Sequence, residues 1–228
     1  MIQSGVLIHN RFRIIGQVDQ GRFGMIHSAH DNRTDSIVIM KTLKSGEEAD
    51  LQKEYNFLVR LAPYTYVPTP VEFGRIPQFP YFVMSQEGKS LQDMATIFSA
   101  GFDERTVSLL LYHSLMAMHS VHQLGVCHAD ITLMNLCLPL TPLKGRVLLL
   151  DFGDAVEYNE IARHNDISKI LMSFQLVSNA HLLLTEVRHY HNQDIPSSTE
   201  DVLGMIRNSV NFNENDCFQW ETESSRNN

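Results

Sequence analysis

The chain is poor in cysteine, in positive charge and in long apolar runs, and each shortage excludes something. Its three cysteines, Cys127, Cys137 and Cys217, are odd in number and lack paired metal-ligand spacing. Reduced thiols in an intracellular compartment are therefore expected rather than a disulfide framework. With 18 Lys and Arg against 26 Asp and Glu, the formal charge is -8, which argues against nucleic-acid binding through counterion release. No stretch approaches the ~18–20 apolar residues of a membrane span. The opening Met1-Ile2-Gln3-Ser4-Gly5 shows neither the basic nor the apolar part of a leader. Internal repeats and low-complexity blocks are absent from the sequence as well. A soluble cytoplasmic or nuclear protein with no membrane and no nucleic-acid partner is the expectation. At 228 residues and 43% hydrophobic, the chain can bury one large core or two small ones.

What is present changes character along the chain. Arg13-Ile14-Ile15-Gly16, Met25-Ile26-His27-Ser28-Ala29 and Ile37-Val38-Ile39-Met40 read as strands. A glycine-containing turn joins the first two, and Asp31-Asn32-Arg33-Thr34-Asp35 joins the last two. From Glu47 to Leu61, the apolar positions Leu51, Tyr55, Leu58 and Leu61 recur at helical spacing. Pro63, Pro68, Pro70, Pro77 and Pro80 then favour turns and edge strands, and Tyr81-Phe82-Val83-Met84 is a further short strand before Gly88. Beyond Gly88 helix dominates: Val107, Leu110, Leu111, Leu115, Met118 and Val121 form an apolar face ending at Gly125. Arg146 to Leu150 reads as a buried strand. Ile167, Ile170, Leu171, Phe174 and Leu176 begin another helix, for which Asp166 is the expected starting residue. Helices near 181–190 and 199–210 are expected, followed by a polar, flexible tail from 211 to 228.

Chemistry concentrates in two stretches. His128-Ala129-Asp130-Ile131-Thr132-Leu133-Met134-Asn135 follows the long apolar helix, and Leu150-Asp151-Phe152-Gly153 follows the buried strand. Asp130, Asn135 and Asp151 are residue types suited to orienting a hydroxyl and holding Mg²⁺. Other histidines carry less. His119 with His122, and His189 with His191, have no third ligand at fixed spacing. Satisfied or solvated rings are expected there, and Cys127 and Cys137 are expected to fill core space.

In this order the motifs resemble the protein kinase superfamily over roughly residues 11 to 175. Within it the casein kinase 1 type is most similar, through Val83-Met84, Gly88-Lys89-Ser90-Leu91, and Ala155 and Tyr158 after Asp151-Phe152-Gly153. The resemblance implies an α+β, two-lobed fold. A small antiparallel β lobe with one helix and a hinge would span 1–87, and a truncated, mainly helical lobe 88–210. It implies ATP and Mg²⁺ as cofactors. Gly21, Phe23, Gly24 and Ile26 would form the loop over the phosphates, with Met84, Gln86 and Glu87 beside the base at the back of the pocket and the hinge. Lys41 would be the phosphate cation paired with Glu54, Asp130 the catalytic base or hydroxyl-orienting group, and Asn135 with Asp151 the Mg²⁺ ligands. His128 and Phe152 would pack internally with Leu58.

Four departures bear on activity. Ala129 replaces the arginine of the H-R-D pattern, which removes the usual partner of an activation-loop phosphate. Thr132 replaces a lysine that would stabilise developing charge. Third, Ile39 stands at a small-residue position where its methylenes crowd a nucleotide; separately, the loop over the phosphates carries Asp19 in place of its first glycine. Fourth, only about a dozen residues separate Gly153 from Asp166, with no A-P-E-like sequence, so the activation and peptide-docking segments are missing. Three readings follow. The first is a protein serine/threonine kinase whose substrate or partner is unknown, the second a pseudokinase scaffold, and the third a small-molecule phosphotransferase of the aminoglycoside-kinase kind.

Overall fold

The structure, a computed structural model, describes residues 2–20, 24–43, 47–77, 79–99, 101–140, 146–177, 202–204, 206 and 218. The chain divides into two compact units. One runs to Glu87 and also takes in Asp151–Asp154; the other comprises Gly88–Leu150 and the chain from Ala155 onward.

The first unit is a six-stranded antiparallel sheet with one helix. Its strands are β1 (Leu7–Ile8), β2 (Phe12–Gln20), β3 (Gly24–Asp31), β4 (Ser36–Leu43), β5 (Pro70–Ile76) and β6 (Phe79–Ser85), and the helix is α1 (Glu48–Leu61). Spatial order is β1-β2-β3-β4-β6-β5, so the proline-rich segment supplies an edge strand, where a missing N–H is tolerated. Because side chains alternate along a strand, one face gathers Phe12, Ile14, Ala29, Val38, Met40, Tyr81 and Val83 into an apolar core that Ile2 and Ile8 close. On the other face α1 buries Leu51, Phe57, Leu58 and Leu61. Its Tyr55 ring lies 5.6 Å from Phe73 and 5.9 Å from Phe82. At its start, Glu47 and Asp50 form a reciprocal capping box.

The second unit is built on α3 (Glu104–Gln123), preceded by α2 (Leu91–Ile97) and followed by α4 (Glu160–Val177), with two small ladders. These pair β7 (Val126–Cys127) with β10 (Val156–Glu157), and β8 (Leu136–Cys137) with β9 (Leu148–Leu149). α3 is buried on nearly every side rather than along a single face. Ser108, Ser114 and Ser120 accommodate this by donating to the carbonyls of Glu104, Leu110 and Met116. Gly125, at φ +74°, ends the helix by donating to the carbonyl of His122 at 2.9 Å.

Several expectations need correction. The strand expected over 146–150 shortens to Leu148–Leu149, since its partner β8 offers only two residues. α4 starts six residues before Asp166, because Asn159 Oδ1 accepts the N–H of Ala162 at 2.8 Å and caps the helix there. Asp166 is therefore an interior residue, fully buried. Of the two helices expected near the C-terminus, 181–190 lies outside the described residues, whereas 202–204 and 206 are helical. Within the segment expected to be a tail, Phe218 is buried at 3% exposure, with the Arg146 guanidinium 4.1 Å above its ring.

Candidate functional site

The candidate residues fall into one constellation in each unit. In the first, Lys41 projects from β4 on the sheet face opposite the apolar core. In the ladder it stands beside Ile26 of β3 and Phe82 of β6. Its ammonium donates to Glu54 Oε1 of α1 at 2.8 Å and to Asp151 Oδ1 at 2.7 Å. Glu54 is buried and shares this one cation with a second carboxylate. Burial first, and the negative charge of Asp151 after the opposing pull of Lys41, push its carboxyl up to about 7. For Lys41, burial pulls its value down, but Glu54 and Asp151 outweigh it and hold it above the ordinary lysine value. The Asp151 carboxylate is half exposed, at 49%, against 5% for Glu54. Asp151 sits at φ +58°, a left-handed conformation that costs an L-residue about 1–2 kcal/mol and belongs where surrounding structure imposes it. At Gly153 a Cβ would come within 3.3 Å of Asp151 Oδ1, so the third residue of the tripeptide leaves room for that carboxylate.

The rest of this face carries the positions expected around a nucleotide. Ile39 pairs with Ser28 on one side and Met84 on the other, which sets the bulky Ile39 beside Met84. Gln86 and Glu87 follow β6 in irregular backbone, and Glu87 Oε1 accepts the Ser85 hydroxyl at 2.6 Å. Gly24 opens β3, where a Cβ would meet the Thr42 carbonyl oxygen at 2.6 Å; close strand approach requires this glycine. Gly21 and Phe23 lie outside the described residues. Asp19 accepts the Gln20 N–H at 2.7 Å. Just before it, in a β2–β3 register shift, Val18 is 61% exposed. The sequence reading passed over this apolar side chain, although an exposed valine beside a glycine turn was its signal.

In the second unit the loop from His128 to Asn135 is held by buried polar contacts. Asn135 Nδ2 donates to the Asp130 carbonyl at 2.8 Å and to Asp130 Oδ2 at 3.2 Å. This fixes the amide and turns its Oδ1 away from Asp130. His128 Nε2 bonds the carbonyl of Leu150 at 2.7 Å, and its Nδ1 accepts the Asp130 N–H at 3.3 Å. Asp166 Oδ2 accepts the His128 N–H at 2.8 Å and pairs with His122 Nε2 at 3.0 Å, while Oδ1 accepts the Ala129 N–H at 2.8 Å. Ala129 itself is left-handed, at φ +66°. The sequence reading missed Asp166 as a holder of this loop; an acid amid the apolar positions of a helix was the available signal.

Ligand atoms of His122, Cys127 and Asp166 lie within 4.8 Å of one another. Both Asp166 oxygens already accept N–H groups, and burial raises the Cys127 thiol above its ordinary value. The cluster is thus arranged as a hydrogen-bonded core. In the first unit the Asp151 carboxylate is a half-exposed oxygen donor; in the second unit the Asn135 amide oxygen is another, and hard cations take oxygen donors.

Only Asp154–Asn159 separate Gly153 from α4. Two of those residues, Val156 and Glu157, are tied into the ladder with β7, and Tyr158 donates to the Gly125 carbonyl at 2.9 Å.

Comparison with known proteins accords with this geometry. The family model described as protein kinase domain matches residues 12–212. Cyclin-dependent kinase 11.1 of Caenorhabditis elegans is 28% identical over 161 residues, covering 66% of this chain and 22% of that protein. A putative casein kinase I of the same organism is 25% identical over 158 residues, 67% and 46% of the two chains. A probable serine/threonine-protein kinase of Dictyostelium discoideum is 28% identical over 153 residues, 66% and 31%. The match spans less than half the length of each of these relatives. With most of its length matched by that model and its α+β units built as described, the chain belongs to the protein kinase domain family.

Proposed function

We propose that the chain is an ATP- and Mg²⁺-dependent phosphotransferase that moves a γ-phosphoryl group to serine or threonine hydroxyls. The observation that carries this reading is the Lys41 ammonium at 2.8 Å from Glu54 and 2.7 Å from Asp151. A partly buried lysine held between two carboxylates stays charged and oriented, which is what a phosphate-binding cation needs. In this reading Asp151 and Asn135 are the Mg²⁺ ligands, and the ion, when bound, neutralises phosphate charge. Asp130 orients the acceptor hydroxyl and takes its proton on the carboxylate. Val18, Ile26, Ile39 and Met84 offer apolar contact to the base, and the Ser85–Glu87 backbone offers it hydrogen bonds. Gly24 belongs to the loop over the phosphates.

A second reading, a nucleotide-fold scaffold without transfer, is favoured by one observation. The six residues Asp154–Asn159 are the whole connection to α4, too short to lay a docking surface for an extended peptide. Thr132, Ile39 and Asp19 point the same way.

Thermal melting with ATP, with and without Mg²⁺, followed by labelled-phosphate transfer in wild type and Asp151→Asn, separates the readings. A ligand bound only by the folded state raises the melting temperature. The phosphotransferase reading expects a Mg²⁺-dependent rise and transfer to protein, both lost in Asp151→Asn. No Mg²⁺-dependent rise at millimolar nucleotide would sink it. A rise without transfer favours the scaffold, and transfer to a small alcohol but not to protein changes the acceptor class.

A further inference from the structure

The loop from His128 to Cys137 contains no lysine or arginine. A cation nevertheless reaches it from α4: Lys169 Nζ donates to the Ala129 carbonyl at 2.7 Å. Lys169 stands three residues after Asp166, so both project from one face of the helix. Asp166 Oδ1 takes the Ala129 N–H at 2.8 Å. A carboxylate and an ammonium on the same helix turn thus grip the donor and the acceptor of a single residue. That residue is left-handed at φ +66° and has only a methyl side chain with which to hold itself. The Ala129–Asp130 peptide group is fixed at both ends, its carbonyl by Lys169 and its N–H by His128 Nδ1 at 3.3 Å. Asp130 hangs from that peptide group.

We infer that Lys169 is a positioning residue for Asp130, clamping with Asp166 the strained backbone from which the Asp130 carboxylate projects. Its charge is committed to the Ala129 carbonyl, so it sets orientation. This explains how the loop keeps its geometry with alanine at 129: the helix beneath supplies the cation that the loop lacks. In consequence, removing the ammonium loosens the loop and misplaces Asp130 while leaving the first unit, with Lys41, unaltered.

The kinetic part of this inference rests on the phosphotransferase reading; the structural part does not, and the test separates them. In the full chain, amide hydrogen exchange at Ala129 and Asp130 is compared among wild type, Lys169→Met and Lys169→Arg, alongside turnover and KM for ATP. Lys169→Met is expected to lose protection at these two amides by about tenfold or more. Turnover should fall roughly 10- to 100-fold with KM for ATP unchanged. Lys169→Arg, which keeps a charged donor, should restore both. If Lys169→Met does not fold, Lys169→Gln, too short to reach the carbonyl, is expected to show the same loss. Unchanged protection in the neutral variant, or equal losses in the arginine variant, overturns the inference. Should wild type transfer no phosphate, the exchange result alone decides it, and only the proposed function fails.

Discussion

Lys41 lies 2.8 Å from Glu54, and the same ammonium also binds Asp151 at 2.7 Å, so one cation serves two carboxylates. That imbalance gives the pair a pH dependence. The Glu54 carboxyl stands at about 7, against an ordinary value of 4.5. The folded state therefore holds this proton more tightly than the unfolded chain does. Its stabilising contribution is whole below 4.5 and is lost as pH rises through about 7. Urea denaturation of wild type and Glu54→Gln across that window should show wild type losing up to about 3 kcal/mol relative to the variant. Parallel pH profiles for the two proteins would refute the assignment.

Asp166 accepts three N–H groups while fully buried. Replacing it with alanine strands two backbone donors and a histidine nitrogen away from water. Asp166→Ala should lose about 3–5 kcal/mol, read as a drop in urea midpoint at constant slope. A loss below about 1 kcal/mol would mean that water takes over the three donors.

Ala129 is left-handed at φ +66°, where glycine is unstrained. Ala129→Gly should stabilise the fold by about 1 kcal/mol, relief of strain outweighing the extra chain entropy of the unfolded glycine. A rise in melting temperature checks this; a fall would mean that the methyl group is packed tightly enough to matter more than the backbone.

Gly24 has no room for a side chain: a Cβ would sit 2.6 Å from the Thr42 carbonyl oxygen. Gly24→Ala should force β3 away from β4 and destabilise the first unit by about 1–3 kcal/mol. Because Ile26 and Lys41 share that ladder, nucleotide affinity measured by titration should weaken too. Unaltered melting and affinity would show that the strands part without consequence.

The legible part of this protein was the part carried by residue type and order. Compact β-branched and aromatic apolar runs predicted the strands around Val38 and Phe82, and the 3.6-residue period predicted α1 within one residue of its observed start. Asp130, Asn135 and Asp151 stood out as oxygen donors in the right succession. Asp166 was misread as a helix start, because an acid before an apolar helical run has the local signature of a cap. Asn159, whose side chain does the capping, gave no stronger local signal. α3 was read from Val107, Leu110, Leu111, Leu115, Met118 and Val121 as having one apolar face. Packing buries its serines as well, and their hydroxyls are satisfied by carbonyls four residues back.

The sequence by itself determined the family, the order of the elements and the chemical types at the site, since periodicity and motif spacing are local properties of the chain. Tertiary structure decided which charges meet. That Lys41 serves Glu54 and Asp151 together, 13 and 110 residues away in sequence, follows from strand register and helix packing. That Asp166 and Lys169 grip Ala129, 37 and 40 residues before them, follows from where α4 begins. Hydrogen bonds and ion pairs act over a few ångströms of space, whatever the separation along the chain.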